Sequence, residues 1–166
     1  MAKSKLKDYI YRPEFECMTR TEMENLQSER LRKTVELVYN NCKPYRAKMD
    51  EFKIKPSDIK SVSDLSKLPF TVKHDLREAY PFGFYSSPSR DIVEVHASSG
   101  TTGKLTVVGY TQNDIDVWAE IAARSLAMAG VTKDSLVHVA YGYGLFTGGL
   151  GAHYGAQKIG ASTVPA

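Results

Sequence analysis

Between Thr21 and Cys42 the apolar residues Leu31, Val35, Val38, Tyr39 and Cys42 fall at i, i+4, i+7, i+8 and i+11. That is one stripe of an amphipathic helix. Thr21-Glu-Met-Glu24 ahead of it has the spacing of a capping box, in which a hydroxyl and a carboxylate satisfy the free amides of a helix start. Lys43-Pro44 is expected to end the helix, because a residue before proline is pushed towards extended backbone. Shorter helical pieces are expected from Ser57, Ser63 and Thr71, and Pro81, Gly83, Pro88 and the intervening serines mark a loop. From about Asp91 β-branched runs take over. Ile92–Val95 and Thr106–Tyr110 are predicted strands. Thr111-Gln-Asn-Asp114 offers a second capping box, and Trp118, Ile121, Ala122, Ser125 and Ala129 form a helix stripe closed by Gly130. Leu136–Ala140 reads as a buried strand, Tyr141–Gly151 as a glycine-rich turn, the following stretch to about Ile159 as a helix, and Ser162–Val164 as the start of another strand.

This order gives an α/β fold class: a mainly helical N-terminal region over residues 1–90, then an incomplete α/β subdomain over 91–166. The β-β-α-β-α-β run implies a mixed or parallel sheet with crossover helices. A parallel sheet is covered on both faces. Three or four strands with two helices scarcely achieve that, so the chain is expected to be a truncated piece of a larger domain.

Composition narrows the class further. Of the 166 residues 42% are hydrophobic and 25% charged, values of an ordinary globular protein and poor ones for a disordered or fibrous chain. No apolar run nears the roughly 20 residues of a membrane span, and the charged N-terminus is followed by no apolar core such as a secretory signal has. A cytoplasmic protein without a membrane partner is expected. Cys17 and Cys42 match no metal or redox spacing, and buried or inert thiols are the plain reading. The net charge of +3 is uneven: residues 1–60 hold 14 basic against 10 acidic residues, and 61–166 hold 8 against 9. The charges are interleaved, which argues for a solvated face and against nucleic acid. His138, mid-strand, is expected to be a core residue, and Trp118 to pack. His96 either orients the neighbouring loop or packs. His74 and His153 fall in predicted helices, and no pair has metal-ligand spacing, so no metal site is assigned.

The chemistry concentrates in Ser98-Ser-Gly-Thr-Thr-Gly-Lys104. A nucleoside-triphosphatase P-loop needs Gly, four residues, then Gly-Lys-Ser/Thr opening a helix. Here Ser98 stands at the first position, Leu105 follows the lysine, and a strand follows the loop. A dinucleotide fingerprint fails as well, for want of a third glycine and a helix. What remains is a loop between two strands in which Gly100 and Gly103 let amides turn inward as an anion nest. Ser98, Ser99, Thr101 and Thr102 add hydroxyls, and Lys104 adds a point charge. A polar hairpin loop has the same composition, and the residues alone leave both readings open.

The same seven residues resemble the signature of the adenylate-forming superfamily, which usually reads Ser/Thr-Ser-Gly-Thr-Thr-Gly-Lys-Pro-Lys-Gly; Leu105 and Thr106 stand at its Pro and Lys positions. Thr106-Val-Val-Gly-Tyr110, Tyr141-Gly-Tyr-Gly-Leu-Phe-Thr-Gly-Gly149, Leu68-Pro-Phe-Thr71, Asp75-Leu-Arg77 and Tyr80-Pro-Phe-Gly83 are similar to the phenylacetate–CoA ligase branch, from about Thr21 to the last residue, with Leu105 the departure from the branch pattern. The resemblance implies the N-terminal part of that enzyme's large domain. The whole enzyme would use ATP, Mg²⁺ and coenzyme A to convert a small aromatic acid to its acyl-adenylate and then its thioester. By the same resemblance Ser98, Ser99, Gly100, Thr101, Thr102, Gly103 and Lys104 would contact the ATP phosphates. Tyr141, Gly142 and Phe146 would line the acid pocket. The adenine- and ribose-binding segments, a Mg²⁺-binding acid and the catalytic lysine would follow beyond Ala166, so no catalytic residue is assigned here and the chain alone is expected to be inactive. A homodimer is compatible with the resemblance. The competing readings are a non-catalytic phosphate- or nucleotide-binding module, an interaction protein, and a ligase for another aryl acid such as indoleacetate or benzoate.

Overall fold

A computed structural model describes residues 10–98 and 105–166. The elements are α1 (Pro13–Glu16), α2 (Arg20–Asn41), α3 (Lys43–Glu51), three 3-10 turns (Pro56–Asp58, Val62–Lys67 and Ser89–Asp91), α4 (Lys73–Glu78), β1 (Ile92–Ala97), β2 (Val107–Thr111), α5 (Gln112–Met128), β3 (Leu136–Val139), α6 (Gly148–Ile159) and β4 (Ser162–Pro165). They fall into two compact units, Met18–Gly109 and Tyr110–Ala166 with the segment up to Cys17.

In the first unit α2 is capped two residues earlier than Thr21, at Thr19. The Thr19 hydroxyl accepts from the Glu22 amide at 3.3 Å, and Glu22 accepts from the Thr19 amide at 2.8 Å. Thr19/Glu22 and Thr21/Glu24 have the same spacing. The earlier box prevails, and Glu24 pairs with Arg20 instead. The expected stripe faces inward: Val35 and Cys42 are buried, and Val35, Met49 and Ile59 form a core flanked by Leu31, Tyr39, Tyr45, Ile54 and Leu68. Lys43-Pro44 does more than end α2. Proline within the first turn opens α3, since its missing N–H would have no helical partner there anyway. Of the pieces expected from Ser57, Ser63 and Thr71, the first two are 3-10 turns and the third is α4. Each is started by an aspartate accepting backbone amides: Asp58 from Lys55, Asp64 from Lys60 and Ser61, Asp75 from Val72. Lys67 and those two amides hold the Asp64 carboxyl well below the usual range. Strands β1 and β2 pair as a two-stranded sheet. The Tyr85 ring lies on Gly109 of β2, where a Cβ would stand 2.6 Å from the ring.

In the second unit the Thr111–Asp114 capping box forms as expected. The buried stripe of α5, however, is Ala119, Ala123 and Ala127, with Ile121 exposed. The face is set by α6: Gly151 leaves room for the Trp118 indole, and Gly155 comes so close to Ala122 and Ala123 that no larger side chain fits there. Small-on-small packing outweighs the larger apolar side chains. Helix α6 connects β3 to β4, which pair in parallel with Leu136 opposite Ser162 and His138 opposite Val164. This is the crossover that the element order implies. The expectation of a buried β3 with His138 in the core is not met. Alternation places Val139 on the covered face, while Leu136, 72% exposed, and His138 lie on the uncovered one. The α1 segment joins this unit through Arg12 to Glu120, Arg124 to Glu16, and the Tyr11 hydroxyl donating to the Lys158 carbonyl at 2.9 Å. Cys42 is buried and Cys17 exposed, both as free thiols.

Candidate functional site

Strand β1 leads into the hydroxyl-rich loop, and β2 leads out of it. Alternate residues of a strand share a face, and here Glu94 and His96 do. His96 is 1% exposed, and its Nε2 hydrogen-bonds Oε1 of Glu94. A buried imidazole on a carboxylate is a satisfied pair, so the base of the loop is polar inside. The next alternate position is Ser98. Its amide donates to the Thr106 carbonyl at 2.9 Å, and the Thr106 amide donates to Ser98 Oγ at 3.3 Å. These two bonds close a neck between Ser98 and Thr106. Ser99, Gly100, Thr101, Thr102, Gly103 and Lys104 lie outside the described residues. Ser98→Ala removes the acceptor of the Thr106 amide. It is expected to lower stability by about 1 kcal/mol, read as a lower urea midpoint; an unchanged midpoint would mean that the hydroxyl contributes nothing to the neck.

In the second unit the chain leaves β3 and crosses the first turn of α6. Tyr141 and Gly142 do so over two glycines: a Cβ on Gly148 would stand 2.2 Å from the Tyr141 ring, and one on Gly149 would stand 2.8 Å from the Gly142 carbonyl oxygen. Only glycine leaves this space. Tyr141 is 65% and Phe146 51% exposed, so neither is a core residue of the unit. Around Gly142 and Gly144 a Cβ would meet nothing within 4 Å. Two exposed aromatic side chains beside open glycines can supply flat apolar surface to a ligand. Between them Tyr143 turns back to α6, where its hydroxyl and His153 Nδ1 hydrogen-bond at 3.1 Å. Among the described residues no group of three or more His, Cys, Asp or Glu could hold a metal, and no helix is long and apolar enough to cross a membrane.

No protein-family model matches the chain. Among curated proteins, the phenylacetate-coenzyme A ligase of Escherichia coli K12 is 56% identical over 144 residues, 87% of this chain and 33% of that protein. The ligase of the same name from Thermus thermophilus is 51% identical over 156 residues, 94% of this chain and 35% of that one. By sequence the chain is similar to phenylacetate-coenzyme A ligases over most of its own length. It spans about a third of the length of the curated relatives it matches. Among solved structures, a 2-hydroxyisobutyryl-CoA ligase with 2-HIB-AMP and CoA in its thioesterification state superposes with a TM-score of 0.88 at 31% identity, covering 96% of this chain and 35% of that one. The open conformation of the same enzyme superposes with a TM-score of 0.86 at 30% identity. The α/β fold is thus that of adenylate-forming CoA ligases.

Two features of the site escape a reading of the residues alone. The Ser98–Thr106 neck is signalled by hydroxyl residues on either side of a glycine-rich run, but hydroxyls inside the run give the same signal. The Tyr143–His153 contact is foreshadowed by helix spacing: His153 stands four residues after Gly149, on the face that the chain crosses.

Proposed function

We propose that the protein carrying this chain is an AMP-forming aryl-CoA ligase acting on phenylacetate. The observation that carries the proposal is the 51–56% identity to phenylacetate-coenzyme A ligases over most of the chain. In this reading Ser98 to Lys104 hold the outer phosphates of ATP with amides, hydroxyls and one cation. Stabilising a phosphoryl transfer needs positioning and charge, not a nucleophile from the protein. The acid carboxylate attacks the α-phosphorus and pyrophosphate leaves; the thiol of coenzyme A then attacks the acyl carbon and AMP leaves. Tyr141, Gly142 and Phe146 line the acid pocket, where ring contacts favour an aromatic acid. The exposure of Tyr141 and Phe146 supports this assignment, since a residue that meets a ligand is not spent in the core.

The test is acid-dependent ATP–pyrophosphate exchange by the intact protein, with phenylacetate, indoleacetate and benzoate in parallel. Phenylacetate is expected to give the highest kcat/KM. Higher values with indoleacetate or benzoate would reassign the substrate, and no exchange with any acid would overturn the ligase reading. The 166-residue chain by itself is expected to give no phenylacetate-dependent pyrophosphate release.

A further inference from the structure

The Tyr141–Thr147 segment is held at its start by close packing of Tyr141 and Gly142 on Gly148 and Gly149. Its middle is more demanding. Tyr143 stands between Gly142 and Gly144, neither of which has a neighbour within 4 Å of where its Cβ would be. Glycine carries the greatest backbone freedom of any residue, so the contacts of the Tyr143 side chain bear directly on order at this point. The Tyr143 side chain supplies it twice. Its hydroxyl hydrogen-bonds His153 Nδ1 at 3.1 Å, and the two rings meet edge to face with centroids 5.7 Å apart.

His153 is in turn braced. Its ring meets Tyr154 edge to face at 6.3 Å, Tyr154 meets Trp118 at 5.9 Å, and Trp118 stacks on Tyr110 at 5.4 Å. The row runs from the segment through α6 to α5 and the end of β2. Edge-to-face pairs stabilise beyond area burial. His153 is therefore a fixed post, and Tyr143 is the side chain fastened to it.

We propose that His153 is a positioning residue for the aromatic-acid pocket: through Tyr143 it sets the path of the chain between Tyr141 and Phe146. The proposal rests on the reading that Tyr141 and Phe146 line that pocket. In this role His153 acts through Tyr143 and not on the acid or ATP directly, and its effect is confined to how well the pocket wall is formed before the acid arrives. Loss of the tether then weakens binding of the acid and spares that of ATP.

The experiment is pyrophosphate exchange by the intact protein with Tyr143→Phe, His153→Phe and His153→Asn, each with separate KM values for phenylacetate and ATP. Tyr143→Phe removes one hydroxyl and keeps the ring, so it serves even if a His153 variant folds poorly. Tyr143→Phe and His153→Phe are each expected to raise the phenylacetate KM roughly fivefold to tenfold, the worth of one hydrogen bond, with the ATP KM and kcat within about twofold. His153→Asn offers a polar atom close to the place of Nδ1, able to donate or accept, and is expected to restore most of the loss. A phenylacetate KM unchanged in both Tyr143→Phe and His153→Phe would overturn the proposal. So would an equal rise in the ATP KM, or a His153→Asn variant as impaired as His153→Phe. Phe146→Ala separates the two levels. If it leaves the phenylacetate KM unchanged, the pocket assignment falls; if it raises that KM while Tyr143→Phe does not, the tether alone falls.

Discussion

Gly155→Ala is expected to lower the stability of the protein by roughly 2 kcal/mol, although alanine is the better helix former. In an exposed helix the exchange would gain about 1 kcal/mol. At Gly155 the added methyl would stand 2.6 Å from the Ala122 Cβ, 2.8 Å from the Ala122 carbonyl carbon and 2.9 Å from the Ala123 amide nitrogen. Two of these three atoms are backbone and cannot rotate away, so α5 and α6 must separate. Overpacking of this kind costs about 1–3 kcal/mol, and rigid neighbours place it at the upper end or beyond. Sterics win over propensity. The check is the urea or thermal midpoint of the intact protein, with Gly144→Ala as the contrast. No atom lies within 4 Å of a Cβ at Gly144, and its midpoint is expected to move by no more than about 0.5 kcal/mol equivalent. A Gly155→Ala protein as stable as the original would mean that the two helices stand farther apart than described.

Lys104→Ala is expected to lower kcat/KM for ATP in pyrophosphate exchange by about 100-fold, the loss typical of removing one preorganised group that meets developing charge. The proposed role of the loop is entirely electrostatic, and Lys104 is its one full charge. Lys104→Arg keeps the charge but replaces a compact ammonium with a planar fork, so it is expected to recover part of the activity and not all of it. The phenylacetate KM should move much less than the ATP term. A loss below about threefold in Lys104→Ala would remove the lysine from the phosphate contacts and leave the loop to its amides and hydroxyls.

The fold was legible wherever a local signal faced no competitor. The Thr111–Asp114 box and the positive φ at Gly130 that closes α5 follow from residues within a few positions of one another, and the β3–α6–β4 crossover follows from the order of the elements. Errors arose where two signals overlapped or where a partner elsewhere decided. Thr19/Glu22 and Thr21/Glu24 compete for one helix start, and proline at position 44 both stops α2 and starts α3. The buried face of α5 could not be read from its own residues, because it depends on the glycine at 155 of the opposing helix, which lies against Ala122 and Ala123. His138 looked internal because its strand is apolar, whereas exposure depends on which face α6 covers. For the candidate site, residue types and the loop's chemistry were legible. The contacts that hold its parts, Ser98 to Thr106 and Tyr143 to His153, were not, since each joins residues brought near by folding.

The neck at Ser98 and Thr106 also bears on how this loop can change over evolutionary time. Two bonds pin both ends to the paired strands, so the fold's stability is largely indifferent to what lies between them. Even doubling the length of a pinned loop costs only about 0.6 kcal/mol in closure entropy. In the proposed role, drift in the intervening residues is then filtered by phosphate chemistry, and the scaffold beneath can host a different recognition loop without being rebuilt.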